Sequence, residues 1–250
     1  MTPDMEDVKC VLLDIEGTVC PISFVKETLF PYALKALPEV VTNKWNDPDF
    51  ITYRDAFPTE HRTSPEVLQA HVEDLTRRDV KIAYLKNLQG YLWETGYKTG
   101  AYTTPLFPDV EPEFSTWKQQ GLTLAIYSSG SVFAQKLLFS HVKEAEHKVI
   151  DLTPLISGWY DTTNAGMKAD SNSYTKIAKE LNFSASDILF FSDNVKEVEA
   201  ALAAGMKSVV VDRPGNAPLS AADKEKFKVV HALHDISLSA ARIDSRFWKK

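Results

Sequence analysis

Val8-Lys9-Cys10-Val11-Leu12-Leu13-Asp14-Ile15-Glu16-Gly17-Thr18-Val19 decides how the rest of the chain is read. The apolar run Cys10 to Leu13 predicts a short buried strand. It ends in two carboxylates separated by one residue, Asp14 and Glu16, and then Gly17 and Thr18. Glycine lets the backbone turn sharply away from a strand tip. In open α/β sheets the carboxyl ends of parallel strands carry the chemistry. An aspartate there can be a nucleophile or a metal ligand, and a second acid can move protons. The same residues also suit a strand that ends in a solvated acidic turn. The fragment alone does not choose.

Further β-like runs lie at Leu122–Tyr127, Ile188–Phe191 and Ser208–Val211. Helical patterns separate most of them, which is the signature of βαβ units and a parallel sheet. Ser64-Pro65-Glu66 reads as a helix N-cap, a first-turn proline and a first-turn acid. Gly121 reads as a helix C-terminal glycine just before a strand, and Ser171 as the cap of a helix reaching about Leu181. From Pro21 to Pro105 there is no convincing strand. Helical patterns near Phe24–Leu37, Pro65–Arg78 and Ile82–Tyr97 predict a helical cap inserted after the first strand. The expected architecture is α/β: a Rossmann-like core, its parallel sheet flanked by helices, formed by residues 1–21 and 104–250. Residues 22–103 form the cap. The tail beyond Pro214 is harder to read, and Arg242 to Lys250 is expected to fray.

The chain has 250 residues, 44% of them hydrophobic, which is ordinary for a globular protein with a sizeable core. No apolar stretch approaches the ~20 residues that span a bilayer, and Met1 to Asp7 lack the apolar run of a signal peptide. The two cysteines, Cys10 and Cys20, are expected as free thiols in a reducing compartment. A net charge of −6, with no basic run before Lys249-Lys250, argues against nucleic acid as a partner. An anionic small molecule is allowed if a local cation holds it.

Three more strand ends carry chemistry-bearing residues. Ser128-Ser129-Gly130-Ser131 follows the second strand; hydroxyls and free amides there suit a phosphate oxygen. They also suit a plain helix cap by Ser131. Lys168, in the polar loop Asn164 to Lys168, is either a solvated surface group or a cation that neutralises a phosphate and a nearby aspartate. Asp193 ends the run Asp187 to Asn194. It could share a divalent cation with Asp14, with Glu197 one turn later steadying the site, or it could cap the helix Val195–Ala204. Hard oxygen ligands in this setting favour Mg²⁺. The six histidines show no zinc-like spacing and are assigned nothing.

Taken in order, acid pair, hydroxyl, lysine and acid resemble the four motifs of the haloacid-dehalogenase (HAD) superfamily of phosphohydrolases: Asp14-x-Glu16-Gly17-Thr18, Ser128, Lys168 and Ser192-Asp193. Most phosphatases of that superfamily carry aspartate where this chain has Glu16. With Pro21-Ile22-Ser23-Phe24-Val25-Lys26, Leu29-Phe30-Pro31-Tyr32, Leu88-Gln89-Gly90-Tyr91-Leu92-Trp93, Ile126 to Val132 and Arg213-Pro214-Gly215-Asn216-Ala217-Pro218, the text resembles one branch. That branch is the enolase-phosphatases of methionine salvage. Asn43 to Thr63 and the tail after Leu219 carry no such text.

The resemblance implies a bifunctional reaction on 2,3-diketo-5-methylthiopentyl-1-phosphate: enolisation, then loss of phosphate to give an acireductone. It implies Asp14 as nucleophile, Glu16 as acid and base, and Ser128, Ser129 and Lys168 as binders of phosphoryl oxygens. It also implies one Mg²⁺ per chain on Asp14, Asp193 and residue 16, the last through its side chain or its backbone carbonyl. The cap aromatics Phe24, Phe30, Tyr91, Trp93 and Tyr97 are expected either to line a pocket for the methylthio end or simply to form cap core. The enolisation base is open between Glu16 and an unplaced cap residue. A monomer in the cytoplasm, and also in the nucleus, is expected, with a small phosphate ester as the only partner. The rivals are a phosphatase of the same fold acting on a sugar phosphate or phosphoglycolate, and a non-catalytic binder that kept the fold. Glu16 and Asp193 weigh against a metal-free dehalogenase.

Overall fold

The computed structural model describes residue 5, residues 7–145 and residues 148–238. The expected fraying of Arg242 to Lys250 lies outside these residues, as does His147.

Strand β1 (Cys10–Leu13) is followed by a π-helical turn (Phe24–Leu29) and four helices: α1 (Phe30–Asn43), α2 (Pro48–Asp55), α3 (Pro65–Arg77) and α4 (Ala83–Lys98). The chain then runs through α5 (Val110–Gln119), β2 (Thr123–Tyr127), α6 (Val132–Ser140) and a β3–β4 hairpin (Val142–Ala145, Lys148–Ile150). It continues with β5 (Gly158–Tyr160), α7 (Ser171–Leu181), β6 (Ile188–Ser192), α8 (Val195–Ala203), β7 (Lys207–Val211), α9 (Ala221–Lys226) and β8 (Val229–Val230). The large sheet has the order β5-β2-β1-β6-β7-β8 and every pairing in it is parallel. The two shortest strands of this sheet, β5 and β8, are absent from the sequence reading, because two or three residues cannot display a periodicity.

All four residues of β1 are buried, and they alternate between two cores. Val11 and Leu13 join Leu124, Ile126, Leu189 and Phe191 on one face. Cys10 and Leu12 join Tyr127, Phe190 and Tyr174 on the other. A strand covered on both faces reads as a continuous apolar run, which is why this one was legible. β1 lies between β2 and β6, where the winding of the sheet changes direction, so its tip opens into the crevice that such folds use for ligands.

Local capping chemistry holds as read at Ser64, whose Oγ accepts from the Val67 amide at 3.4 Å, and at Ser131, whose Oγ accepts from the Ala134 amide at 3.3 Å. It differs at α7. There Asp170, not Ser171, is the cap, its carboxylate accepting from the Asn172 amide at 2.9 Å. Aspartate and serine are equally good caps, so the sequence alone could not rank adjacent candidates. The segment read as one helix from Phe24 to Leu37 is a π-helical turn that passes into α1, which runs on to Asn43 with Pro38 inside it.

Candidate active site

The tips of β1, β2 and β6, with the loop before α7, bring the four sequence motifs together. Leu13 pairs with both Ile126 and Phe191, so Asp14 emerges level with Tyr127 and Ser192. Its amide donates to the Phe191 carbonyl at 3.0 Å. Gly17 then turns back with φ of +74°, a region side chains avoid. A Cβ there would stand 2.5 Å from Asp193 Oδ2 and 2.9 Å from Asn216 Oδ1, so the nucleophile loop and Asp193 approach as closely as they do only because position 17 is glycine.

Lys168 is not a solvated surface group. It is buried, with Nζ 2.5 Å from Asp14 Oδ1 and 2.6 Å from Glu197 Oε2, and lies 5.7 Å from the centre of the Tyr127 ring. Its own carbonyl accepts from the Tyr174 hydroxyl. Burial alone would depress its pKa, but Asp14 and Glu197 more than offset that and hold it above the usual lysine range, fully cationic. Glu197 is fixed in turn by the Ser192 hydroxyl at 2.8 Å. Its role in the geometry is to orient Lys168.

Asp193 is not a helix cap either. The carboxamide of Asn194 caps α8, accepting from the Lys196 amide at 3.0 Å, which leaves the Asp193 carboxylate facing the cavity. Burial, then Glu197, pushes the Asp193 carboxyl up to about 6. Burial pushes Asp14 up to about 8 against the pull of Lys168, with Glu197 and Asp193 adding to the rise. Glu16 is raised by burial too, and among charges Lys81 opposes this most. Ser128 is buried, with Oγ accepting from the Gly130 amide at 3.3 Å, and Ser129 lies beside it. Asp14, Glu16, Ser128, Ser129, Lys168 and Asp193 thus line one cavity.

Asp14 and Glu197 share the Lys168 ammonium, and around the cavity the acids Asp14, Glu16, Asp79, Asp193 and Glu197 outnumber Lys26, Lys81 and Lys168. That surplus fits a small divalent cation. Among the described residues no three acid, cysteine or histidine side chains are gathered as a ligand set. The donors at hand are two carboxylates, Asp14 and Asp193, and the backbone of the turn that contains residue 16. Mg²⁺ accepts such a sparse protein set because it keeps several waters and takes substrate oxygens.

A second, largely apolar cavity adjoins the first. Its walls include Val25, Leu29, Leu85, Trp93, Tyr97 and Leu138, and it shares Glu16, Phe30, Asp79, Lys81, Ser128 and Ser129 with the charged one. Trp93 is fixed there by donating from Nε1 to the Leu29 carbonyl at 2.7 Å. Of the five cap aromatics, Phe30, Trp93 and Tyr97 face this space. Phe24 packs edge-on against Tyr102 in the core, and Tyr91 packs at a tilt against Phe50 and Tyr53.

Four supporting residues carry no role in the sequence reading. Lys86, on α4, donates to the Ser129 carbonyl at 2.8 Å and so ties the inserted helices to the β2 tip. Asp161, after β5, accepts from the Val132 amide and steadies the start of α6. Arg213 is buried; it donates to the Thr18 carbonyl at 3.0 Å and grips Asp109 through two bonds of 2.8 Å. Only the string Arg213-Pro214-Gly215-Asn216 hinted at it. Asn216, from the same string, donates to the Gly17 carbonyl at 2.9 Å.

A parallel sheet with a buried aspartate–lysine pair at the tip of its central strand, and a second aspartate across the crevice, defines the haloacid dehalogenase-like hydrolases. The model of that family matches residues 8–205. Within that class the chain belongs to the enolase-phosphatase E1 family. It is 60% identical over 230 residues to an enolase-phosphatase E1 of Podospora anserina, covering 91% of this chain and 97% of the relative. It is 54% identical over 234 residues to that of Neurospora crassa, covering 93% and 99%. Among solved structures the UTR4 protein of Saccharomyces cerevisiae superposes with a TM-score of 0.81 at 40% identity, covering 92% of this chain and all of that one. A dehalogenase at 18% identity and a TM-score of 0.54 shares the fold.

Proposed function

We propose that this chain is a bifunctional enolase-phosphatase, converting 2,3-diketo-5-methylthiopentyl-1-phosphate to 1,2-dihydroxy-3-keto-5-methylthiopentene and phosphate in methionine salvage. The observation that carries the substrate is the joining of the two cavities. One is a charged site suited to a phosphate; the other is an apolar space that suits a thioether and offers a polyol few partners. That contrast disfavours the sugar phosphate and phosphoglycolate alternatives. Residues 22–103 act in this reading as a cap over a core made of 1–21 and 104–250; the support is that Val25 and Leu29 of the π-helical turn, Phe30 of α1, and Leu85, Trp93 and Tyr97 of α4 supply most of the apolar wall while the strand tips supply most of the charges.

In the phosphatase step Asp14 attacks phosphorus and forms an aspartyl phosphate. Glu16, kept protonated more readily by its burial, gives a proton to the leaving oxygen and later takes one from water. Ser128, Ser129 and Lys168 hold the phosphoryl oxygens. Lys168 also aims the Asp14 carboxylate, since their ion pair fixes its rotamer. Bound at Asp14, Asp193 and residue 16, one Mg²⁺ per chain would offset the repulsion between carboxylate and phosphate. We extend the proposal to a monomer in the cytoplasm and also the nucleus. The free, buried thiols of Cys10 and Cys20 are in keeping with a reducing compartment, and among the described residues no helix is long and apolar enough to cross a membrane.

A substrate panel tests this. The expected result is turnover of the diketone phosphate at least ~10²-fold more efficient than that of phosphoglycolate or glucose phosphates, a gap of roughly 3 kcal/mol. Excess EDTA should stop all of it and Mg²⁺ restore it. Equal efficiency across the panel, or full turnover in EDTA, contradicts the reading.

A further inference from the structure

We propose that Asp79 and Lys81, on the turn between α3 and α4, are the proton-moving pair of the enolisation, with Asp79 taking the substrate's C1 proton and Lys81 stabilising the oxygen on C2. The inference deepens the proposed function and rests on it.

Both residues line the charged cavity and the apolar one. A phosphate ester with its phosphate at Lys168 and its thioether end near Trp93 must pass its first carbons through that junction. The junction's ionisable side chains are Glu16, Asp79 and Lys81, and Glu16 is already assigned the proton transfers of the phosphatase step. Neither Asp79 nor Lys81 has a side chain tied up in a hydrogen bond or ion pair among the described residues.

The backbone supplies a separate observation. α3 ends in a Schellman motif: the Asp79 amide donates to the Thr76 carbonyl and the Val80 amide to the Leu75 carbonyl. Asp79 occupies the left-handed position of that motif with φ of +52°. Glycine is the residue that sits there without strain. Aspartate is one of the few other residues that adopt this conformation, and here the turn sets its carboxylate at the cavity junction.

The substrate and product fix the chemistry. A 2-keto-1-phosphate becomes a 1,2-enol, so a C1–H bond must break. The Asp79 carboxylate takes that proton. The C–H electron pair forms the C1=C2 double bond, and the carbonyl pair moves onto the C2 oxygen beside the Lys81 ammonium. The proton then passes from Asp79 to that oxygen, so nothing is oxidised or reduced. General base catalysis of this kind contributes ~10²–10⁴-fold.

The test compares two reactions of the whole protein with Mg²⁺. p-Nitrophenyl phosphate needs no enolisation and reports fold and phosphoryl transfer; the diketone phosphate needs both steps. In Asp79→Asn and in Lys81→Met, the ratio of diketone turnover to p-nitrophenyl phosphate hydrolysis should fall at least ~50-fold, the loss appearing in kcat. Lys81→Arg should recover at least a tenth of the wild-type ratio, since it restores the cation. If either of the first two variants keeps the ratio within about threefold of wild type, the assignment is overturned. If the wild type hydrolyses p-nitrophenyl phosphate but never turns over the diketone, the proposed function has failed, and the pair falls with it.

Discussion

Asp14→Asn should lower phosphate release by at least ~10⁴-fold, because an amide cannot form the acyl phosphate. The protein should stay folded. Asparagine is nearly isosteric, and it removes one of the carboxylates that crowd Lys168, so the urea midpoint should hold or rise. Proton abstraction from carbon does not need the nucleophile. This variant should therefore convert the diketone phosphate to an enol phosphate, visible by its ultraviolet absorbance, and stop there. Beryllium fluoride with Mg²⁺ should form its adduct on Asp14 of the wild type. An adduct on another side chain, or rapid phosphate release by the variant, contradicts the assignment.

Lys168→Met should have the other large effect, on stability as well as turnover. Lys168 is the ammonium that Asp14 and Glu197 share, and it is as buried as they are. Removing one partner of a buried pair leaves uncompensated charge, at a cost of about 3–5 kcal/mol. The sign of the pH dependence follows. Without Lys168 the folded-state pKa of Asp14, already pushed up to about 8 by burial, rises further, while its unfolded value stays near that of a free carboxyl. A raised acid contributes stability that is present below the unfolded pKa and lost as pH climbs to the folded one. In metal-free buffer the variant should thus lose urea resistance steadily between pH 5 and 8. Wild-type resistance at pH 8 in Lys168→Met would show that the pair is not buried in solution.

The site was legible in the sequence where strand geometry forces it. A fully buried parallel strand has to read as an apolar run, and its tip has to fall at Asp14. The same logic located Ser128 and Asp193. What the sequence left open was which of two chemistries each residue served, because capping and catalysis use the same side chains. The fold bears on it in two ways: the adjacent Asn194 takes the capping role and leaves Asp193 facing the cavity, and Asp14 and Glu197, from distant segments, draw Lys168 inward. Asp79 and Lys81 were invisible for a different reason. A charged turn between two amphipathic helices looks like ordinary solvated surface until the helices fold over the strand tips. Arg213 stood in a quoted string, but what it does was not legible, since its grip on Thr18 and Asp109 spans 195 and 104 residues.

One site is proposed to perform enolisation and then dephosphorylation. Mixing excess wild-type protein and Mg²⁺ with the diketone phosphate in a single turnover, while following ultraviolet absorbance and inorganic phosphate together, tests it most directly. The enol absorbance should rise first, phosphate should follow after a lag, and acireductone should appear in step with the phosphate. Phosphate released without a lag, with no enol or acireductone at any time, would contradict it.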